Sequence, residues 1–258
     1  MSLLTHLDKL ASDTLLRGTE REKNKHTAQI LEERLAAYFQ DQIKDVFAYG
    51  SSIRGTSLPQ FFSESIDIDY MVVFHNDDCT PATYTRRLVD FAQIHYPRSR
   101  VFQSTPAVCI QMAHLTFELV PALPAFWNDF KIPTARGDWQ GANPRGLEKE
   151  LARSNQRCNG ALKPAVRLAK LWNTRAGHVF SSFDLETQAA AIDFGRAKNL
   201  RDHFVVLLDG LRFEPFADTA MWRTDALARA QSIAKEALAF EAREDSLRAI
   251  RTINKIFI

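Results

Sequence analysis

The segment Ile66-Asp67-Ile68-Asp69-Tyr70-Met71-Val72-Val73-Phe74 constrains this chain more than any other. Its apolar residues alternate at first and then run on without interruption. Successive side chains on a strand point to opposite faces, so the pattern predicts a strand with one half-exposed end and one buried end. The same periodicity puts Asp67 and Asp69 on one face.

Around this strand the hydrophobic period changes. Leu3, Leu7 and Leu10 share a helix face, Arg17-Gly18-Thr19 interrupts the pattern, and a longer helix is predicted from about Thr19 to Phe39. Val46 to Tyr49 reads as a short strand ending in Gly50. Pro81 to Tyr96 reads as a helix crossing back over the sheet. Val101–Gln103, Ala107–Met112 and His114–Val120 read as strands, the last ended by Pro121. Residues 121–147 hold Pro121, Pro124, Pro133, Pro144, Gly137, Gly141 and Gly146 and read as loop, with a domain boundary near 145. This gives a mixed α+β region over 1–145 and a helical region over 146–258. Ala226, Ala228, Ala230, Ala234, Ala237 and Ala239 predict a closely packed late helix. Leu247, Ile250, Ile253 and Phe257 line one side of the last.

Composition narrows the class. With 45% hydrophobic and 25% charged residues over 258 positions, the chain is globular and not disordered. Its net charge is +2, from 33 Lys+Arg against 31 Asp+Glu, which does not mark a nucleic-acid binder or a membrane-surface protein. Cys79, Cys109 and Cys158 form neither a disulfide framework nor a zinc pattern and fit a reducing cytosol. The start, Met1 to Asp8, is neither a signal peptide nor a membrane span. The expectation is a soluble cytoplasmic protein.

Two carboxylates as close as Asp67 and Asp69 repel each other unless a cation lies between them. Mg²⁺ is the usual answer, held by one or two carboxylates and substrate phosphates. The alternative is a strand end whose aspartates face water. Gly50-Ser51 follows a strand and precedes a helix, where a glycine lets the backbone approach a phosphate. Such turns are also common without a ligand. Glu118 lies among Phe117, Leu119 and Val120, where a glutamate needs a partner, either a metal or a salt bridge. Read together, three carboxylates on neighbouring strands make a two-metal site. One ion binds the triphosphate of a donor nucleotide and the other activates an attacking hydroxyl.

The series Gly50-Ser51, Arg54-Gly55-Thr56, Asp67-Ile68-Asp69 and a later strand acid resembles the polymerase-β-like nucleotidyltransferase superfamily. Phe117 to Ala122, then Ile132-Pro133, Trp139 and Asn143-Pro144, resemble the third-carboxylate strand and the loop after it. Leu162 to Asn173 and Ser181 to Glu186 resemble the helical half. The combination is similar to the bacterial cGAS/DncV-like nucleotidyltransferases over roughly residues 20 to 257. It departs in two places. The interval from Ser51 to Asp67 is longer, with Pro59-Gln60-Phe61-Phe62 as the insertion, and Glu118 stands where aspartate is more usual.

The resemblance implies a bilobal fold, a nucleotidyltransferase palm with a mixed sheet followed by a helical domain. It implies template-independent joining of NTPs into cyclic di- or trinucleotide second messengers with release of pyrophosphate, and a role in antiphage signalling. Asp67, Asp69 and Glu118 would be the catalytic metal ligands, for Mg²⁺ or Mn²⁺. Gly50, Ser51, Lys170, Ser182 and Ser181 would contact the nucleotide, with Lys170 reaching the terminal phosphates. NTPs are the expected partners, with a regulatory protein possible and neither a membrane nor a stable nucleic-acid duplex. The rival readings are nucleotidyl transfer to a protein or RNA end, linear oligonucleotide synthesis, and an inactive nucleotide-binding protein.

Within the helical half, Lys163, Arg167 and Lys170 recur at i, i+4, i+7, a basic stripe that is either solvated or faces phosphate. Residues 136–175 hold nine Arg/Lys and three acids, a local excess of 9 − 3 = +6, so the remainder carries 2 − 6 = −4. Ser181, three residues before Asp184, also suits a helix N-cap. Tyr49, Trp139, Trp172 and Phe183 are candidates for base stacking, with plain core packing as the alternative.

Overall fold

A computed structural model describes every residue except 17, 64–65, 76–77, 127–128 and 214–218. Arg17, expected to part the first two helices, lies outside the described residues. The chain divides into two compact units. One comprises Leu16–Gln60 and Glu64–Glu148, the other Met1–Leu15, Phe61–Ser63 and Lys149–Ile258. This differs from the expected division at 145/146. The first helix, α1 (Leu3–Asp13), belongs to the helical unit, where it buries Leu3, Leu7 and Ala11.

The first unit opens with α2 (Gly18–Phe39) and a 3-10 turn at Gln40–Gln42. It continues with β1 (Ile43–Tyr49), α3 (Gly50–Arg54), β2 (Asp67–Phe74), α4 (Pro81–His95), β3 (Arg100–Ser104), β4 (Ala107–Gln111) and β5 (Thr116–Pro124). Then come β6 (Phe130–Pro133) and β7 (Trp139–Ala142). The strand order is β1-β2-β5-β4-β3, with β6 and β7 added through β5. Among the described residues only β2 and β5 run parallel, so the sheet is mixed.

Alternation sorts the sheet into two faces. Ile68, Tyr70, Val72, Phe117, Leu119 and Val108 form the main core with Leu31 and Leu35 of α2 and Leu88 and Phe91 of α4. Tyr70 Oη donates to Glu32 Oε1 at 2.6 Å, which satisfies a phenol buried under α2. The opposite face carries Met71, Val73, Cys109, Val120 and Ala122. Asp67, Asp69 and Glu118 share the parity of that face.

Two expectations are corrected. Pro121 does not end its strand: β5 runs on to Pro124, with Pro121 opposite Val72. Nor is 121–147 plain loop, because Lys131 pairs with Leu123 and Gly141 with Lys131. The prolines there sit on short outer strands that tolerate a missing N–H.

The helical unit holds α5 (Pro144–Arg157, which begins in the first unit), α6 (Leu162–Arg175), α7 (Ser182–Ala191), α8 (Leu200–Gly210), α9 (Met221–Glu241) and α10 (Ser246–Asn254). Helix α6 is its centre, buried from Ala165 through Asn173. Asn173 holds the α6–α7 connection by accepting from Phe180 N at 2.8 Å and donating to Phe180 O at 2.9 Å. The alanines of α9 are only partly the packed seam expected: Ala230, Ala234 and Ala237 are buried, while Ala228 and Ala239 face solvent. Among the described residues no helix is long and apolar enough to cross a membrane.

Candidate active site

The β-sheet unit brings its predicted acids together. In the parallel β2–β5 register Asp67 lies opposite Thr116 and Asp69 opposite Glu118. On the other side of β2, Tyr49 at the end of β1 lies opposite Asp69. Three carboxylates thus stand on one face of two paired strands. The chain leaves β1 directly into α3, and Gly50 makes this possible. Its φ is +80°, a left-handed conformation that favours glycine, and a β-carbon there would lie 2.7 Å from Asp69 Cγ and closer still to Oδ2. No side chain fits between the turn and Asp69.

The rest of the turn is closed by hydrogen bonds. Thr56 N donates to Ser51 O at 3.0 Å, and the Ser51 and Ser57 hydroxyls are 2.9 Å apart. Gly55 ends α3 with φ 72° in the left-handed region. The predicted Gly-Ser and Arg-Gly-Thr segments are therefore one turn, with Arg54 buried beneath it.

Electrostatics at the carboxylates are unfavourable without a cation. Glu118 is pushed up to about 7, first by burial, then by the charges of Asp69 and Asp67, and by a hydrogen bond to Asp69. Tyr49 is raised as well, by burial and by Asp69 and Glu118. The reading of Tyr49 as a stacking group gives way here to a phenol beside the acids. Cys109, opposite Glu118 on β4, escaped the sequence reading. Its Sγ lies 4.0 Å from Glu118 Oε1, and burial with the three acids pushes its thiol up to about 12. Only its pairing register could have found it. Among the described residues no group of three His, Cys, Asp or Glu side chains stands ready-gathered around a metal position. The donor set is nonetheless that of a hard divalent cation: carboxylate oxygens on one face, one of which holds its proton to higher pH through burial and its neighbours.

The helical unit treats its predicted residues differently. Lys170 Nζ is ion-paired with Glu186 of α7, with the two side chains 7% and 0% exposed. Arg167 is buried, and its Nε donates to Thr14 Oγ1 at 3.2 Å. The basic stripe is therefore largely internal. A buried cation needs a partner inside the protein, and Glu186 and Thr14 supply one each. In this structure the ammonium of Lys170, the residue expected at the terminal phosphates, is engaged by Glu186. Ser181 is the N-cap of α7, accepting from Asp184 N at 3.0 Å and donating to Asp184 Oδ2 at 2.6 Å. Ser182, the first helical residue, is exposed with no hydrogen-bond partner among the described residues. Trp172 is core, Trp139 packs on Tyr84, and Phe183 is exposed.

A family model, described as Second Messenger Oligonucleotide or Dinucleotide Synthetase domain, matches residues 1–155. The chain belongs to this family. It is a bacterial cGAS/DncV-like nucleotidyltransferase, an enzyme of the cyclic-oligonucleotide-synthase type. No curated protein sequence matches it. Solved structures of similar fold include CdnC of E. coli MS115-1 with ATP (TM-score 0.74, 17% identity, covering 100% of this chain and 98% of that one). CdnG of Bradyrhizobium diazoefficiens with GTP is similar at TM-score 0.74 and 13% identity, covering 97% and 96%. DncV of Vibrio cholerae, described as a cyclic AMP-GMP synthase with the linear intermediate 5′ pppA(3′,5′)pG, gives 0.74 and 13%, covering 96% and 92%. These likenesses establish the polymerase-β-like palm with a helical C-terminal part. The carboxylate strands and the glycine turn lie within the residues that the family model matches.

Proposed function

We propose that this enzyme joins NTPs into cyclic di- or trinucleotides at Asp67, Asp69 and Glu118, through a two-metal reaction that releases pyrophosphate. The observation that carries this reading is the Asp69–Glu118 pairing across β2 and β5, closed on one side by Gly50. Divalent ions, Mg²⁺ or Mn²⁺, held by Asp67, Asp69 and Glu118 would neutralise the triphosphate and make the attacking ribose hydroxyl easier to deprotonate. The protein's own part is positional. Adjacent strands fix the spacing of the three acids. Glu118, pushed up to about 7 by burial and the neighbouring acids, would be favoured in its ionised form by a bound cation. Gly50 and Ser51 let the main chain approach a phosphate without an intervening side chain. Ser182, whose hydroxyl is uncommitted among the described residues, is proposed as the α7 serine that donates to the triphosphate, since Ser181 is spent on its cap.

The product is expected to be a second messenger in antiphage signalling. ATP and GTP are candidate substrates, because CdnC and CdnG were solved with them. A regulatory protein partner is proposed by analogy with the CdnC:HORMA complex, solved at 18% identity. Incubating the enzyme with four radiolabelled NTPs and Mg²⁺ or Mn²⁺ tests the reading. A phosphatase-resistant product that disappears with Asp67→Ala/Asp69→Ala supports it. Label on protein or on RNA ends, with no small product, would sink it in favour of transfer to a macromolecule.

A further inference from the structure

We propose that the helical unit carries a second ligand site, for a small anion with a flat apolar body. A cavity of about 480 Å³ opens among the C-terminal end of α6, the first half of α9 and the residues after α10. That size is within the range of small-molecule pockets. Trp172, Ile233 and Ile256 form its inner wall, and all three are buried. The open volume arises where α9 presents single methyl groups, at Ala226 and Ala230, in place of longer side chains.

The rim is cationic. Arg175, Arg229 and Lys255 line the cavity and all are exposed. Among the described residues none of the three side chains makes an ion pair or hydrogen bond, and no acidic side chain lines the cavity. Each cation has a long aliphatic stem that could cover apolar wall, yet the cavity stays open. Two of the cations stand at helix C-termini, where the carbonyl ends of α6 and α10 offset roughly half a charge each. Roughly two positive charges remain over an apolar wall. A buried flat body on Trp172 and one anionic group among the cations satisfies both features together. The proposed nucleotide chemistry uses none of these residues.

The test compares two probes with one ring system. 1-Anilinonaphthalene-8-sulfonate is a monoanion, and N-phenyl-1-naphthylamine is the same body without the sulfonate. Fluorescence titration of the intact protein is expected to give one sulfonate site, at least tenfold tighter than the neutral probe. Arg175→Glu/Arg229→Glu should lower sulfonate affinity at least tenfold and leave the neutral probe unchanged. Ala226→Trp, which fills the cavity, should remove both. Equal affinity for the two probes, or sulfonate binding indifferent to the charge reversals, overturns the proposal. The reversed residues are exposed, so that pair decides the matter even where Ala226→Trp fails to fold.

Discussion

Gly50 closes against Asp69 so tightly that one added methyl group would lie 2.7 Å from the Asp69 carboxyl carbon. The same glycine holds φ at +80°. Gly50→Ala therefore suffers twice. Left-handed backbone costs an alanine about 1–2 kcal/mol, and the overlap must push either the turn or the Asp69 carboxylate aside. The expected outcome is a modest fall in melting temperature with turnover reduced at least 100-fold. Turnover within threefold of wild type would show that the close approach is not needed.

The state of Glu118 sets a pH dependence. An unfolded glutamate ionises near 4.5, while the folded one holds its proton to about 7 through burial and the charges of Asp69 and Asp67. Between those values the folded state binds more protons than the unfolded state, so metal-free stability falls as pH rises through that window. A divalent cation favours the ionised form and must displace the proton below about 7. The rise in melting temperature on adding Mg²⁺ is therefore expected to be larger at pH 8 than at pH 6. Glu118→Gln should abolish that difference. Thermal melts at both pH values in EDTA and in Mg²⁺ check this.

Much of this was legible in the sequence, for reasons that also explain the failures. The carboxylate face followed from strand parity, because Asp67 and Asp69 are two apart and Ile68 and Tyr70 are apolar. Period alone carries that information. Pairing between distant segments is not periodic, so nothing local announced that Cys109 lies opposite Glu118, or that β5 continues through Pro121. The surroundings of the basic stripe were illegible for the same reason. Lys163, Arg167 and Lys170 share helical spacing, but whether a stripe faces solvent depends on what packs on it. Thr14, 153 positions away, and Glu186, on another helix, decide that. The first helix was grouped with its neighbour in sequence, while its buried leucines pack within the helical unit.

The Lys170–Glu186 pair predicts a pattern of stability. Removing one partner of a buried pair leaves an uncompensated charge and costs about 3–5 kcal/mol. Lys170→Met and Glu186→Leu should each destabilise strongly, and the double variant should recover most of the loss. Denaturant unfolding of the four proteins measures this. If the double variant is stable but its KM for NTP rises tenfold or more, Lys170 serves phosphate as well as the fold.

The two serines of α7 should separate. Ser181→Ala removes the N-cap bond to Asp184 N and should cost about 1 kcal/mol. Ser182→Ala should leave stability within about 0.5 kcal/mol and raise KM for NTP several-fold with kcat little changed. Reversal of the two effects would assign the phosphate contact to Ser181.

Mass spectrometry of the reaction product, for the wild-type enzyme beside Asp67→Asn, Asp69→Asn and Glu118→Gln, tests the central claim most directly. With NTPs and Mg²⁺ the wild type is expected to yield a cyclic di- or trinucleotide and pyrophosphate, and the three variants none. A cyclic product that persists in Asp69→Asn would contradict the account, as would a wild-type reaction mixture in which all NTP remains unchanged.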